Sequence, residues 1–330
     1  MPDIKIIGEK DLRKLVQLDL DIVDCVQDAF AALATKKVVM PPILHLSIAE
    51  ANGEMDAKTA YIPGMDSFAL KSSSGFFDNP KQGLPALGGL MVVYSAKTGV
   101  VEAVLLDNGY LTDVRTAAAG AVAARCLART DASRAGVLGT GMQARLQLQA
   151  LTLVRPIREA KVWGRDPEKA KKLAAIASEE LGIPVTASKQ IDEVAEASDI
   201  LITATPATKP LIGPGHLRPG LHITAMGSDA DFKCEIAPEV LAAADLYVPD
   251  RLSQCVICGE LRAAIAAGAV PADQGFPELG EIIVGKAEGR TSNDAVTLCD
   301  LTGTGIQDTA IAILARARAQ AADAGMTFQN

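Results

Sequence analysis

The sequence predicts an α/β protein: a doubly wound parallel sheet, plus a discontinuous α+β region assembled from residues on either side of it. Three observations predict this. Gly139-Thr-Gly141-Met142-Gln143-Ala144 has the Gly-x-Gly-x-x-Ala spacing of a dinucleotide-binding turn. Downstream, apolar runs of strand length alternate with helical patterns, which implies right-handed βαβ units. Upstream, the chain reads as strands joined by tight turns, a mostly antiparallel pattern behind one opening helix.

In chain order, the opening helix is expected over 21–34 and strands over 42–47, 55–61, 68–72, 89–95 and 100–107. Thr98-Gly99 forms the hairpin turn between the last two. An alanine-rich helix over 113–127 leads into the nucleotide-binding half. There, a strand ends at Leu138. Gly139 permits the tight turn, Gly141 admits a pyrophosphate to the backbone, and Ala144 lets the helix over 142–153 pack closely. That helix presents free N–H groups and a partial positive charge to phosphate. Further strands are expected at 160–163, 184–187, 199–204, 221–226 and 245–248, and helices at 167–181, 191–197 and 238–243. A last helix over 304–324 returns to the first region. The expected domains are therefore 1–115 with 305–330, and a Rossmann domain over 116–304.

Bulk properties narrow the function classes. The 330 residues exceed one typical domain, with ample capacity for a core. Hydrophobic residues at 49% and charged residues at 22% are ordinary for a globular protein. A net charge of −8 and a pI near 5.1 argue against nucleic acid or an anionic membrane as partner. No apolar run reaches the roughly 18 residues of a membrane span. The charged start MPDIKIIGEKDLRK has no signal-peptide core, so a cytoplasmic protein is expected. The cysteines are scattered, as suits free thiols. Cys255-Val-Ile-Cys258 has metal spacing but no second ligand pair, and the histidines are His45, His216 and His222, so no metal site is expected.

Ligands of open α/β sheets bind beyond the carboxyl ends of the strands. The candidate cofactor contacts are therefore Gly139, Gly141, Met142 and Gln143 in the phosphate turn, then Gly164, Arg165 and Asp166, then Thr203, Ala204 and Thr205. Met226, Gly227 and Ser228 follow the fifth strand, and Thr302 and Gly303 precede the last helix. Asp229 falls near the expected nicotinamide, although a cap or turn aspartate is the alternative. Lys71 ends an apolar strand. It suits a carboxylate receptor, or an acid if its pKa is depressed, and the alternative is a surface lysine. Thr112 and Arg115 are placed in the first turn of the alanine-rich helix, where a guanidinium makes a good receptor for carboxylate or phosphate, and both are candidate cofactor contacts too. The alternative for Arg115 is a surface ion pair with Asp113.

Together these segments resemble the ornithine cyclodeaminase/μ-crystallin family from about Met40 to about Ala315. The marks, in the family's order, are Pro41-Pro42, Lys71, Gly83-Leu-Pro85, Thr112-x-x-Arg115-Thr-Ala-Ala, Gly139-x-Gly141-x-x-Ala144, Gly227-Ser-Asp229, Gly259-Glu-Leu261 and Gly289-Arg290. The resemblance implies a homodimer whose substrate-binding and dimerisation domain is made from both chain ends, around a nicotinamide-binding domain. It also implies that Lys71 and Arg115 hold a substrate carboxylate and that Asp229 takes part in proton transfer. Members interconvert imine and amine with net use of cofactor, cyclise ornithine on bound NAD with loss of ammonia, or, as μ-crystallin, bind thyroid hormone.

Two departures point away from ornithine. Ile43 stands where many members place an arginine, with His45 two positions on, and Asp229-Ala-Asp231-Phe232-Lys233 replaces Asp-x-Pro-Gly-Lys. Met-Pro-Pro-Ile-Leu, Gly-Phe-Phe-Asp-Asn-Pro-Lys and Leu-Thr-Gly-Thr-Gly-Ile-Gln-Asp are similar to a bacterial branch that reduces imines. The expectation is NADH-dependent reduction of a small α-imino acid, iminosuccinate above all, to an L-amino acid, here L-aspartate. The alternatives are a cyclodeaminase-type lyase with catalytic NAD, an alanine dehydrogenase or ketimine reductase, and a non-catalytic binding module. A dicarboxylate needs two anion receptors. Lys71, Arg115 and the hydroxyls of Ser72, Ser73 and Ser74 are expected to serve both ends, helped by His45 if its strand turns it inward. The alternative is a solvent-facing His45. For the cofactor, Arg165 after Gly164 suits a 2′-phosphate, whereas Asp166 repels one. NAD is the expected cofactor, with NADP left open.

Overall fold

The computed structural model describes residues 3–329. The chain begins with β1 (Ile4–Gly8), α1 (Glu9–Leu15), α2 (Leu20–Thr35), β2 (Leu44–Ile48), β3 (Gly53–Ala60), β4 (Ser67–Phe76), β5 (Leu87–Ser95), β6 (Val101–Leu106) and α3 (Tyr110–Leu127). It continues with β7 (Arg134–Leu138), α4 (Met142–Val154), β8 (Glu159–Trp163), α5 (Pro167–Leu181), β9 (Val185–Ser188), α6 (Ile191–Ala197), β10 (Ile200–Thr203), β11 (His222–Ala225), α7 (Pro238–Ala243) and β12 (Leu246–Pro249). Last come α8 (Leu252–Cys255), α9 (Glu260–Ala266), α10 (Leu279–Ile283), β13 (Thr297–Asp300), α11 (Gly305–Ala321) and β14 (Met326–Phe328). The chain forms two compact units, Met1–Arg115 with Thr304–Asn330, and Thr116–Gly303.

The first unit is a seven-stranded sheet in the order β14-β1-β6-β5-β4-β3-β2. One face is covered by α11, whose Thr309 hydroxyl donates to the Ala60 carbonyl at 2.8 Å and accepts from the Ala69 amide at 3.2 Å. Gly305 lets the helix come this close, since a Cβ there would sit 2.5 Å from the Thr59 carbonyl oxygen. The neighbouring α2 buries Ile22, Val23, Val26, Ala29 and Phe30, one stripe at helical spacing. Its start is fixed by Asp19, whose carboxylate accepts from the Ile22 amide at 2.9 Å, a cap worth about 1 kcal/mol.

The second unit is a seven-stranded parallel sheet in the order β12-β13-β11-β10-β7-β8-β9. β10, β11 and β13 are buried along their whole length. β10 accordingly reads as an apolar run, Ile200-Leu-Ile, whereas β13, Thr297-Leu-Cys-Asp300, has polar ends and no strand is expected there from the sequence. The strand order reverses direction beside β7, the switch point at which such sheets open a crevice for a ligand.

The structure corrects the sequence reading of the first unit. Its sheet is mixed, because β1, absent from the expectation, runs parallel to β6 and antiparallel to the equally unexpected β14. Both strands are short and pair with distant partners, so no local turn signal marks them. The helix expected from Asp113 begins at Tyr110, because Asp107 accepts from the Leu111 amide at 2.8 Å and Asn108 and Gly109 take positive φ. Thr112 therefore lies in the first turn of α3, but Arg115 lies in the second.

Candidate active site

In the second unit, the chain leaves β7 through Gly139, at φ +131°, where a Cβ would lie 2.5 Å from the Ala204 carbonyl oxygen. The Gly139 amide donates to the Trp163 carbonyl at 2.9 Å, which ties the turn to the end of β8. Gly141 differs: a Cβ there meets nothing within 4 Å. It precedes α4 without any side-chain cap, while Ala144 is fully buried beneath. The result is a helix N-terminus with room above it, the geometry that takes a pyrophosphate. A groove of about 250 Å³ lies over this turn.

Of the expected cofactor residues, Gly139, Gly141, Gly164, Arg165, Asp166, Ala204 and Thr205 line that groove. Thr140, Trp163, Lys169, Pro206, Ala207 and Leu211 also line it and went unnoticed in the sequence. Asp166 is half committed, since its Oδ1 caps α5 by accepting from the Glu168 and Lys169 amides at 2.9 and 3.3 Å. Lys169, in the same turn as that cap, could have been found from the Asp-Pro helix start. Met142 is exposed and Gln143 half-buried in the first turn of α4, and neither lines the groove.

Several expected contacts are instead consumed inside the unit. Thr203 is fully buried at the end of β10. The Ser228 hydroxyl is buried and donates to Glu260 Oε1 at 2.6 Å. The Thr302 hydroxyl is buried and donates to Asp250 Oδ1, and the Gly303 amide donates to Asp250 Oδ2. Met226 is buried, and Gly227 is required to be glycine, because a Cβ would sit 2.4 Å from the Glu235 carboxylate.

These partners form a set of buried acids, none of them a predicted site residue, and Glu260 falls in the mark Gly259-Glu-Leu261. Glu235 accepts from the Thr205 amide and hydroxyl, both at 2.6 Å, and from the Gly227 amide at 2.8 Å. It thereby clamps the turn after β10 to the turn after β11. Burial pushes its carboxyl up to about 7. Glu260 accepts from Ser228 and from the Glu235 and Ile236 amides, and burial raises it too. Asp300 accepts from the Tyr247 hydroxyl at 2.7 Å and the Glu260 amide at 2.9 Å, and burial with the neighbouring Glu260 charge drives it well up. Asp229 is half-exposed on the loop after β11, and its carboxylate accepts from Lys233. Cys255 and Cys258 are buried free thiols, donating to Asp250 and to the Gln254 carbonyl.

In the first unit, β4 points Lys71 at the face covered by α11. Lys71 is 2% exposed, and its Nζ lies 3.1 Å from Asp308 Oδ2. Arg115 is also buried. Its Nε donates to Asp308 Oδ1 and its Nη1 donates to Gln307 Oε1, both at 2.9 Å. The surface ion pair with Asp113 is thus not the arrangement found. Burial pushes the Lys71 ammonium down to about 7 against the opposing pull of Asp308, with Arg115 and Lys58 adding to the fall. Burial alone would raise the Asp308 carboxyl, but Arg115 and Lys71 outweigh it and hold it below the usual range. Two cations share one carboxylate, and the Gln307 Nε2 donor beside them is buried without a partner among the described residues. This cluster has charge and a donor left for an anion.

Strand alternation overturns one expectation. Ser72 is next to Lys71 in sequence and so projects from the opposite face of β4, as does Ser74. Ser73, opposite Asp56, shares the Lys71 face. Through Asp56 and Ser73 the register puts His45 on the Lys71 face as well, but His45 is exposed on β2, and its Nδ1 is 2.7 Å from Asp56 Oδ1, the carboxylate directly across the ladder. Asp107 is a further buried acid of this unit, raised to about 6 by burial.

The parallel sheet, its switch point and the uncapped turn beneath an open groove define a dinucleotide-binding protein of the Rossmann class. Comparison with known proteins carries this further. The chain belongs to the ornithine cyclodeaminase/mu-crystallin family, whose sequence profile matches residues 5–323. A Rhizobium meliloti protein, whose name goes no further than dehydrogenase, is 58% identical over the whole of both chains. The alanine dehydrogenase of Archaeoglobus fulgidus is 36% identical, covering 93% of this chain and 92% of its own. The iminosuccinate reductase of Paracoccus denitrificans is 32% identical, covering 93% and 94%. Its structure in complex with NAD+ matches at a TM-score of 0.91 and 28% identity over all of both chains. The Thermococcus litoralis Δ1-pyrroline-2-carboxylate reductase, in complex with NADH and L-proline, matches at 0.92 and 31% identity, over 98% of this chain and 99% of its own.

Proposed function

We propose that the chain is an NAD-dependent imine reductase that converts a small α-imino acid, iminosuccinate above all, into an L-amino acid. The observation that carries this reading is the buried Lys71–Arg115–Asp308 cluster, two cations on one carboxylate beside an unpartnered amide donor. Such a cluster receives the α-carboxylate, and a desolvated charge pair of this kind holds it firmly. NADH supplies the hydride, which goes to the imine carbon, while the nitrogen takes a proton. Lys71, with its pKa near 7, is poised to give that proton at neutral pH, with Asp229 as the second proton-transfer group. Gly139, Gly141 and the first turn of α4 take the pyrophosphate, and Asp166 keeps one carboxylate oxygen for a ribose hydroxyl. NAD is favoured by the relatives crystallised with it.

The same reading includes a homodimer. The sheet face opposite Lys71 carries Leu44, Leu46 and Ile48 on β2 and the stacked Phe68–Tyr94 pair, with the β2 residues exposed. A contiguous apolar face of this kind marks an interface.

The test is a panel of freshly generated imino acids with NADH or NADPH, followed at the nicotinamide absorbance. Stoichiometric NADH consumption with iminosuccinate is expected. Ammonia release from a diamino acid without net cofactor use would replace the reductase with a cyclodeaminase-type lyase.

A further inference from the structure

A dicarboxylate needs a second cation on the face that holds its first carboxylate, and the β3–β4 register provides one. Lys58 lies directly opposite Lys71. Residues paired this way in an antiparallel ladder project from one face, with Cβ atoms about 5 Å apart. By the ordinary rules of sheet pairing this is a fault, because like charges directly opposite destabilise the ladder. Such faults persist where a site uses them. The row continues through Met91 on β5 to Leu105 on β6, neither of them charged. On the other side, Ile43 precedes Leu44, the partner of Ala57, and so comes next to Lys58 in the same register. Lys58 and Lys71 are therefore the two cations of this row. The carboxylate two residues earlier on β3, Asp56, is held by His45 at 2.7 Å. The Lys58 charge reaches the buried cluster, since it helps to lower both Lys71 and Asp308.

We propose that Lys58 is the specificity-determining residue of the site: it receives the distal carboxylate of a short dicarboxylic imino acid while Lys71 and Arg115 hold the proximal one. The proposal rests on the reductase reading for its substrate class and gives Lys58 the role expected of His45.

The experiment is calorimetric binding of L-aspartate and L-alanine to the NAD-saturated protein, for the wild type, Lys58→Met and Lys58→Arg. The wild type should prefer aspartate by about 10-fold or more, a difference of roughly 1.4 kcal/mol. Lys58→Met should cut that preference at least fivefold, with the loss falling on aspartate, and Lys58→Arg should keep most of it. If Lys58→Met does not fold, Lys58→Arg decides together with Lys58→Gln, which stays polar and loses the charge. A wild type without preference, a neutral variant that retains it, or equal losses on both ligands would overturn the proposal. Failure of every imino acid to consume NADH would overturn the reductase reading alone, because the binding ratio still reports on Lys58.

Discussion

In the first unit, Lys71 and Arg115 are buried around a single carboxylate, Asp308. In the second, Glu235, Glu260, Asp250 and Asp300 are buried among main-chain N–H groups and hydroxyls. Both arrangements cost desolvation, but they leave different remainders. The cations outnumber their carboxylate and so retain attraction for an anion. The acids are satisfied by donors from the loops around them, so they hold those loops in place and offer a ligand little. A buried ionisable group marks a binding site when its compensation is incomplete, and a scaffold when it is complete.

The largest effect should separate the units outright. Gly141→Val should abolish nicotinamide binding, read by cofactor fluorescence, with little change in thermal midpoint, because its Cβ enters open space. Wild-type affinity in that variant would mean that phosphate does not sit there. In the other unit, Arg115→Ala should cost about 2–5 kcal/mol in kcat/KM with cofactor affinity retained, since a desolvated substrate carboxylate loses its partner. Near-normal kcat/KM would remove Arg115 as the anchor.

Glu235→Gln tests the scaffold side. The amide places a donor against one of three donors, so about 1–3 kcal/mol of stability should be lost and the KM for NADH should rise. Unchanged KM and stability would show that this acid does not hold the turns. The pH dependences of the units should also oppose one another. Glu235 is raised in the folded state, so its contribution to stability is full below about 4.5 and is lost as pH rises towards 7. Lys71 is lowered, so stability is regained as pH rises from about 7 to 10.5. Urea midpoints across pH should flatten in the acid window for Glu235→Gln and in the alkaline window for Lys71→Met; no change in either slope would refute the assignment. The smallest effect concerns cofactor choice. Asp166→Ala should raise NADPH use by a few-fold more than it lowers NADH use, and a wild type that already prefers NADPH would reverse the NAD assignment.

The two units also differed in how legible they were. The helices α5, α6 and α7 fall where the residues place them, and α5 shows why: Asp166 caps it, Pro167 opens it, and Gly182 ends it at φ +66°. Those signals are local. The phosphate turn is local as well, since six consecutive residues carry it. Asp308 was not recognised as the partner of Arg115, because 193 residues separate them. Residues 72–74 read alike as donors, yet only Ser73 shares the Lys71 face, and the placement of Lys58 opposite Lys71 is equally invisible, because membership of a face depends on strand register and a shift of one residue exchanges the faces. Glu260 stands in the mark Gly259-Glu-Leu261, but nothing there announces a buried acid, and Glu235 lies outside every quoted motif.

The pairing of Arg115 with Asp308 has a consequence for the order in which the chain acquires its structure. All of residues 116–303 are synthesised between the two partners. The nucleotide unit is contiguous and has its strands and helices in hand before α11 emerges, and domains generally fold as units in that order. Until then, the first sheet lacks the helix that covers one face, and Lys71 and Arg115 lack their counter-ion. The carboxylate receptor is therefore completed last, and a nascent chain stalled before Asp308 would present a finished cofactor fold and an unfinished sheet whose Lys71 and Arg115 still await their carboxylate.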